Sequence, residues 1–255
     1  MRAEVGFFTD SSICIGCKAC EVACKEWNLV PEHSRPRWTG NSYDNKGALG
    51  ADNWRHVAFI EQKRNGGEVR WLMNSDVCKH CSEAACLEVC PTGAIFRTEF
   101  GTVVVQDDVC NGCGYCVSAC PFGVIERRER DGRAFKCTMC YDRLKVDLEP
   151  ACAKACPTKS IQFGPIQELK SKAEARLQQL HADGVSEARL YGADESNGVG
   201  GTAAFFLLLD DPEVYRLPSR PVTPTRHLRE TWKAALLAAG ALAVAAVGAA
   251  LSDRK

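Results

Sequence analysis

A chain of 255 residues with 45% hydrophobic content is long enough for one large or two modest domains and does not read as disordered. Lys and Arg together number 32, as do Asp and Glu, so no whole-protein field favours a nucleic-acid partner or an anionic surface. The 16 cysteines are clustered: residues 25–77 and 157–255 contain none, and neighbours within a cluster stand too close in sequence for disulfides to close useful loops.

In chain order, Met1 to Ser12 holds one Arg and no apolar stretch of about 7 to 15 residues, so no cleaved secretory signal is expected and export would need a partner's signal. Group one follows, Cys14-x2-Cys17-x2-Cys20-x3-Cys24. An insertion from Lys25 to Val77 contains two β-type runs, His56 to Ile60 and Glu68 to Leu72, flanking Asn65-Gly-Gly67, which predicts a hairpin. Group two is Cys78-x2-Cys81-x4-Cys86-x3-Cys90-Pro91. A second hairpin is expected from Ala94–Arg97 and Thr102–Val105, turning near Gly101. Group three is Cys110-x2-Cys113-x2-Cys116-x3-Cys120-Pro121, and group four is Cys137-x2-Cys140-x11-Cys152-x3-Cys156-Pro157.

Beyond the last cysteine, Ile166, Leu169, Ala173, Leu177 and Leu180 recur at three-or-four spacing between Pro165 and Gly184, which predicts an amphipathic helix. Thr202 to Leu209 is a short apolar run between Gly200-Gly201 and Asp210-Asp211-Pro212, read as a buried strand. Pro218, Pro221 and Pro224 suggest a stiff, extended linker. Ala234 to Leu251 is 18 residues without a charge. As a helix it would rise roughly 27 Å, close to a bilayer's hydrocarbon thickness, with Trp232 at the interface. A buried Ala-rich soluble helix is the alternative, but the segment has no polar face.

The cysteine pattern implies iron-sulfur chemistry. A tight C-x2-C-x2-C loop can wrap three corners of a cubane cluster but cannot turn back to the fourth, so the fourth cysteine ligates a neighbouring cluster. Groups two and three are expected to exchange fourth ligands, giving Cys78, Cys81, Cys86 with Cys120 and Cys110, Cys113, Cys116 with Cys90. Groups one and four would form an outer pair, Cys14, Cys17, Cys20 with Cys156 and Cys137, Cys140, Cys152 with Cys24. All 16 cysteines are then used by four [4Fe-4S] clusters. A zinc site needs no exchanged fourth cysteine and fits the triple-cysteine loops poorly.

The fold class expected is α+β: two interleaved bacterial ferredoxin-like dicluster domains with inserted hairpins, plus one C-terminal transmembrane helix. The outer unit comprises residues 1–30 and 132–165, the insertion 31–77, and the inner unit 78–131. Residues 166–224 carry the helix, strand and Pro-rich linker, and 225–255 the membrane anchor. Small or flexible residues such as Ile15-Gly16, Asn111-Gly112 and Gly114 let backbone N–H groups approach cluster sulfurs, and Lys79 beside His80 is expected to raise the local potential of group two. His33, His56, His80, His181 and His227 form no ligand or base-and-nucleophile spacing, Gly198 to Gly201 lacks the context of a nucleotide loop, and Glu126 and Glu129 read as solvated charges. No catalytic site is expected.

The chain resembles the iron-sulfur beta subunits of membrane-bound molybdenum or tungsten formate dehydrogenases. The likeness is carried by Cys14 to Cys20, Val22-Ala-Cys-Lys-Glu-Trp-Asn28, Tyr43-Asp-Asn45, Cys113-Gly-Tyr-Cys116, Ala119-Cys-Pro-Phe122, Lys136-Cys-Thr138, Asp142-Arg143, Glu149-Pro-Ala-Cys152, Cys156-Pro-Thr158, Gly198-Val-Gly-Gly-Thr202 and the final helix. The cysteine groups alone also fit electron-transfer subunits of dimethyl sulfoxide, tetrathionate and polysulfide reductases. The resemblance implies a molybdopterin-containing catalytic partner that oxidises formate, a membrane cytochrome b and quinone as the electron exit, and folded co-export that leaves the cluster domain outside the cytoplasm. A positive-inside count gives the opposite side, because Arg216, Arg220, Arg226, Arg229 and Lys233 precede the helix while Arg254 and Lys255 follow it.

Overall fold

The structure, a computed structural model, describes residues 3–32, 43–44, 46–63 and 67–252 and divides into two compact units, Met1–Thr223 and Pro224–Lys255. In the first unit the elements run β1 (Val5–Asp10), α1 (Ala19–Trp27), β2 (Arg55–Lys63), β3 (Val69–Val77), α2 (Ala85–Glu88), β4 (Ile95–Arg97), β5 (Val103–Val105) and α3 (Tyr115–Ala119). They continue with β6 (Glu126–Arg127), β7 (Ala134–Phe135), α4 (Tyr141–Leu144), α5 (Ala151–Lys154), β8 (Ile161–Pro165), α6 (Ile166–Ala182), β9 (Arg189–Tyr191) and β10 (Ala204–Leu208).

The organising layer is a four-stranded sheet in the order β8-β1-β10-β9, with β1 parallel to β10 and antiparallel to β8. Successive side chains point to opposite faces of a strand. On one face Phe7, Phe206 and Leu208 join the core that contains the cysteines, and on the other Phe8, Phe205 and Leu207 pack under α6 with Leu169, Ala173 and Leu180. Both faces being covered, β10 needs no polar alternation, which is why its run is apolar throughout. The amphipathic pattern after Pro165 does form α6, and the apolar run forms β10.

Strands β2 and β3 pair antiparallel from Arg55 opposite Val77 to Lys63 opposite Val69, longer at both ends than the apolar runs suggest. The added residues include Arg55, Asn74 and Ser75, which are polar yet buried, so hydropathy alone cuts the hairpin short. Asn65 and Gly66 of the expected turn, with Asn45, His33, Arg254 and Lys255, lie outside the described residues. The second hairpin forms from β4 and β5, with Gly101 at φ +80° in the turn. The Pro-rich stretch departs from an open linker. Leu217, Pro221 and Thr223 are buried, and Thr223 donates its N–H to Gly198 O at 2.9 Å and its Oγ1 hydroxyl to Glu83 O at 3.0 Å. Those two bonds strap the segment to the loop that carries group two.

The second unit is one helix, α7 (Leu228–Ser252). Over Leu228–Ala249 its mean hydropathy is 1.7. The helix is long and apolar enough to cross a bilayer.

Gly6 in β1 is forced by proximity. Phe7 N–H donates to Ala203 O at 2.7 Å, and a Cβ on Gly6 would run into that same carbonyl. Gly6→Ala should therefore destabilise the first unit by about 1–3 kcal/mol, the usual cost of overpacking. A lowered urea midpoint is expected, and an unchanged one would show that β1 can shift without loss.

Candidate metal centres

Each cysteine group begins with the same backbone move. The residue before the second cysteine lies in the left-handed region: Gly16 at φ +66°, His80 at +45°, Gly112 at +73° and Met139 at +55°. Successive residues in such conformations turn their N–H groups inward and make an anion-binding concavity. Glycine takes this φ freely in groups one and three, while His80 and Met139 are held in it by burial on all sides. The later cysteines sit on short helices that pack in two pairs: α1, with Cys20 and Cys24, against α5, with Cys152, and α2, with Cys86, against α3, with Cys116.

The sixteen cysteines are free thiols that converge in fours, each four drawing on two groups. Cys14, Cys17, Cys20 and Cys156 line one cavity of about 300 Å³ of space, counting its opening to solvent. Cys78, Cys81, Cys86 and Cys120 line another of about 340 Å³. Cys24 lies within electrostatic reach of Cys137, Cys152 and Cys140. Asn28 links that set directly, its Nδ2 standing 3.8 Å from Cys24 Sγ and 3.7 Å from Cys140 Sγ. Cys116 similarly faces Cys110, Cys113 and Cys90. In the two Cys-Pro-Thr steps the threonine hydroxyl reaches back to the cysteine, Thr92 to Cys90 at 3.7 Å and Thr158 to Cys156 at 3.8 Å.

Neighbouring sets also influence one another electrostatically. Cys20 is within electrostatic reach of Cys152, Cys137 of Cys78, and Cys86 of Cys116. The four sets thus form an unbranched series that begins with the Cys14 set, passes through the Cys24 and Cys78 sets, and ends with the Cys110 set. Exposed cysteines occur only at its ends, Cys17 and Cys113.

Burial pushes most of these thiols up, Cys86 to about 12 and Cys116 to about 11, and Cys24 and Cys137 well above the ordinary thiol range. Cys90 is the exception: slight burial works against its thiolate, but N–H donors at Ile95, Thr92 and Ala94 and the Thr92 hydroxyl outweigh it and hold the thiol below that range. Two buried cations stand among the sets. Burial works against the charge of Arg55, but Cys152, Cys20, Cys137 and Cys24 outweigh it, and for Lys136 the same balance is struck with Cys78, Cys86 and Cys137. Neither residue's burial shows in the sequence, since a lone charge at a strand end or before a cysteine is ordinary, although Lys136 belongs to a segment that carries the family likeness. Lys79 and His80 are both buried in the loop of group two. Lys79 is ion-paired to Asp76 and bonded to Val77 O, so part of its charge is cancelled, and His80 is pushed well below its ordinary range by burial and by Lys136. His80 accepts the Val103 N–H at 3.0 Å and forms the wall of the Cys78 cavity.

Other residues singled out in the sequence lie elsewhere. His56 pairs with Asp44 at 2.8 Å, His181 with Ala188 O at 2.8 Å and His227 with Glu230 at 3.2 Å. Glu126 is exposed and accepts the Ala51 N–H at 2.9 Å. The Gly198–Thr202 segment braces group two: Val199 O and Gly201 O accept the N–H groups of Glu83 and Ser82, and Thr202 bridges to Cys81.

Among the described residues no three His, Cys, Asp or Glu side chains gather tightly enough for a single ion. Four separated thiols around a buried space, supplied with N–H donors such as Ala134 N to Cys110 Sγ at 3.4 Å and Met139 N to Cys137 Sγ at 3.2 Å, suit a cluster that presents one iron to each sulfur. Two family models described as 4Fe-4S dicluster domains match, over residues 13–94 and 69–166. The protein is therefore of the dicluster iron-sulfur class and carries four [4Fe-4S] clusters, which act in electron transfer. The sequence is 42% identical over 242 residues to the iron-sulfur subunit of the nitrate-inducible formate dehydrogenase of Escherichia coli strain K12, covering 92% of this protein and 79% of that one. It is 41% identical over 255 residues to the formate dehydrogenase iron-sulfur subunit of Haemophilus influenzae, covering 96% and 80%. The B subunit of the anaerobic dimethyl sulfoxide reductase of E. coli is 42% identical over 176 residues, covering 68% and 78%. The chain belongs to the family of formate dehydrogenase iron-sulfur subunits.

The raised thiols give the iron-free protein a pH dependence of definite sign. Above about pH 8.5 cysteines in the unfolded chain lose protons that the buried ones keep, so the unfolded state binds fewer protons and stability falls as pH rises. The urea midpoint of iron-free protein should be level between about pH 7 and 8 and drop between about pH 8.5 and 10. Cluster-loaded protein, whose thiolates carry iron in place of protons, should not show that drop. A midpoint that rises over this interval would contradict the burial of the thiols.

Proposed function

We propose that the four sets are the ligand quartets: Cys14, Cys17, Cys20 and Cys156; Cys24, Cys137, Cys140 and Cys152; Cys78, Cys81, Cys86 and Cys120; and Cys90, Cys110, Cys113 and Cys116. The observation that carries this is the convergence of cysteines from different groups, above all Asn28 set between Cys24 and Cys140. When bound, each cluster supplies a one-electron couple. The protein's part is to hold the couples in series, to shield the inner two from solvent and to leave the outer two accessible. Ile15, 61% exposed beside Cys17, and Tyr115, 60% exposed between Cys113 and Cys116, make each end an apolar contact surface.

The partner at one end, by analogy with the formate dehydrogenase relatives, is a catalytic subunit with a pterin-bound metal that converts formate to carbon dioxide, a proton and two electrons. The reaction site is that subunit's own. At the other end the electrons leave to a membrane cytochrome b and quinone, with α7 holding the complex in the bilayer and the cluster-bearing unit on the extracytoplasmic side. Co-export of a folded unit on its partner's signal supports that side against the count of basic residues around α7. The same arrangement would serve a reductase of the dimethyl sulfoxide type, but that relative covers 68% of this sequence against 92% for the formate dehydrogenase subunit.

Anaerobically purified protein should contain about sixteen irons and as many sulfides, and zinc in their place would refute the quartets. Cys17→Ser should remove one cluster and stop electron delivery while the partner still reduces an artificial dye with formate; loss of both activities would instead mean that the subunits no longer assemble. Deleting residues 225–255 should free the complex from carbonate-washed membranes and abolish quinone reduction with all four clusters retained. A truncated complex that stays in the membrane would rule out α7 as the anchor.

A further inference from the structure

Arg55 and Lys136 are each 1% exposed, and among the described residues neither has a carboxylate partner. Lys79, equally buried, is paired with Asp76. Burying a cation without a counter-anion is strongly unfavourable, so the compensating charge for the unpaired two must come from what surrounds them. What surrounds them is thiol.

Their positions are specific. Arg55 opens β2, and its Nη1 donates to Ser75 O at 3.2 Å and to Ser75 Oγ at 3.0 Å, while Cζ lies 4.9 Å from the ring centroid of Phe7. Ser75 Oγ is itself 3.3 Å from Cys20 Sγ. Among the described residues Nε and Nη2 have no oxygen or nitrogen partner, the side chain favours the Cys152 thiolate by hydrogen bonding, and the cysteines within electrostatic reach are Cys20 and Cys24 of group one and Cys137 and Cys152 of group four. The guanidinium therefore stands where the Cys14 quartet meets the Cys24 quartet. Lys136 is anchored by the carbonyls of Val103 and Cys137, lines the Cys78 cavity and faces Cys78, Cys86 and Cys137. It occupies the next junction, between the Cys24 and Cys78 quartets. No comparable cation is found among the described residues between Cys86 and Cys116, at the third junction.

We propose that Arg55 and Lys136 are charge-compensating residues at the two successive junctions, each raising the reduction potentials of the clusters on both of its sides. A cubane held by four thiolates is a dianion that becomes a trianion when it takes an electron, and charge and local hydrogen bonding set its potential. A fixed positive charge between two such anions favours the reduced form of each. It also screens the repulsion that reducing one would impose on the other. With clusters bound, an electron passing from one quartet to the next would oxidise the first couple and reduce the second, and Arg55 or Lys136 would stand beside the negative charge before and after. No proton need move, because the guanidinium stays protonated throughout.

This rests on the quartets proposed above, and the test separates the two. In the intact complex, signals from reduced clusters are assigned by their loss in Cys14→Ser, Cys24→Ser, Cys78→Ser and Cys110→Ser, and midpoints are measured by redox titration followed by electron paramagnetic resonance. Arg55→Met should lower the midpoints of the Cys14 and Cys24 clusters by at least about tenfold in the reduced-to-oxidised ratio, equivalent to about 59 mV for a one-electron couple. Lys136→Met should do the same for the Cys24 and Cys78 clusters, and the Cys110 cluster should stay in place in both. Arg55→Lys and Lys136→Arg should restore the parent values. Unchanged midpoints with clusters intact, an equal shift of all four, or charge-preserving variants that shift as far as the methionine ones would overturn the proposal. If the methionine variants lose clusters, full occupancy at parent potentials in Arg55→Lys and Lys136→Arg supports it, and loss in these too overturns it. A failure of the quartets alone would appear differently, as a cysteine variant that removes a signal other than the one assigned to its set.

Discussion

Helices of four or five residues and strands of two or three do not persist in water by themselves, and most of the elements carrying cysteines in this protein are that short. What holds α2 to α3 and α5 to the longer α1 is the chemistry of the sulfurs between them. The core that forms the centre of the first unit accordingly interleaves Cys20, Cys78, Cys116, Cys137, Cys152 and Cys156 with Val57, Leu72 and Ile125. Hydrocarbon alone would leave space where the cavities are, and the thiols lining that space resist ionisation until a metal takes the place of their protons. Fold and cofactor are thus linked by a single constraint: the interior is complete only when its sulfurs are joined.

Around that interior the rest of the molecule acts as a brace. The two-faced sheet closes one side, with α6 on its outer surface, and the β2–β3 hairpin brings Arg55 and Ser75 to the sulfurs of groups one and four. The Gly198–Thr202 segment and the strap ending at Thr223 both hold the Ser82–Glu83 peptide, immediately after Cys81. Distant stretches thereby fix a cysteine loop that, like that of group four, lacks both a glycine in the left-handed position and a triple-cysteine pattern to hold it tight.

Much of this is legible in the sequence, for local reasons. The spacing of cysteines, the helix after Pro165, the apolar strand before Asp210 and the terminal apolar helix each declare themselves within a short window, because each obeys one period. Strand β1 does not: Val5 to Asp10 offers too brief an apolar run, and its partners lie more than 150 residues onward. Arg55 and Lys136 are invisible for a different reason. Their burial is decided by residues from several groups at once, and a basic residue in isolation reads as solvated. Lys79 lies in the loop the sequence points to and still acts on Cys81 and Cys120, but its ion pair with Asp76, three residues earlier, is not visible in the sequence. The Gly-Val-Gly-Gly stretch carries part of the family likeness but gives no structural role by itself, whereas its carbonyls shape a loop far away along the backbone.

The position of β1 bears on how the protein comes off the ribosome. Both neighbours of this first strand, β8 and β10, belong to the last part of the folded unit, and Cys14 and Cys24 likewise wait for Cys137 to Cys156. The Cys78 and Cys110 sets, by contrast, have all their cysteines once Cys120 has been made. Synthesis therefore completes one half of the series before the other, and the amino-terminal segment, with Phe7 and Phe8 still uncovered, is held open until residues 161–208 have emerged. Closure of the sheet and filling of the Cys14 and Cys24 sets are consequently late events, and an interrupted polypeptide would leave adhesive apolar residues at its oldest end.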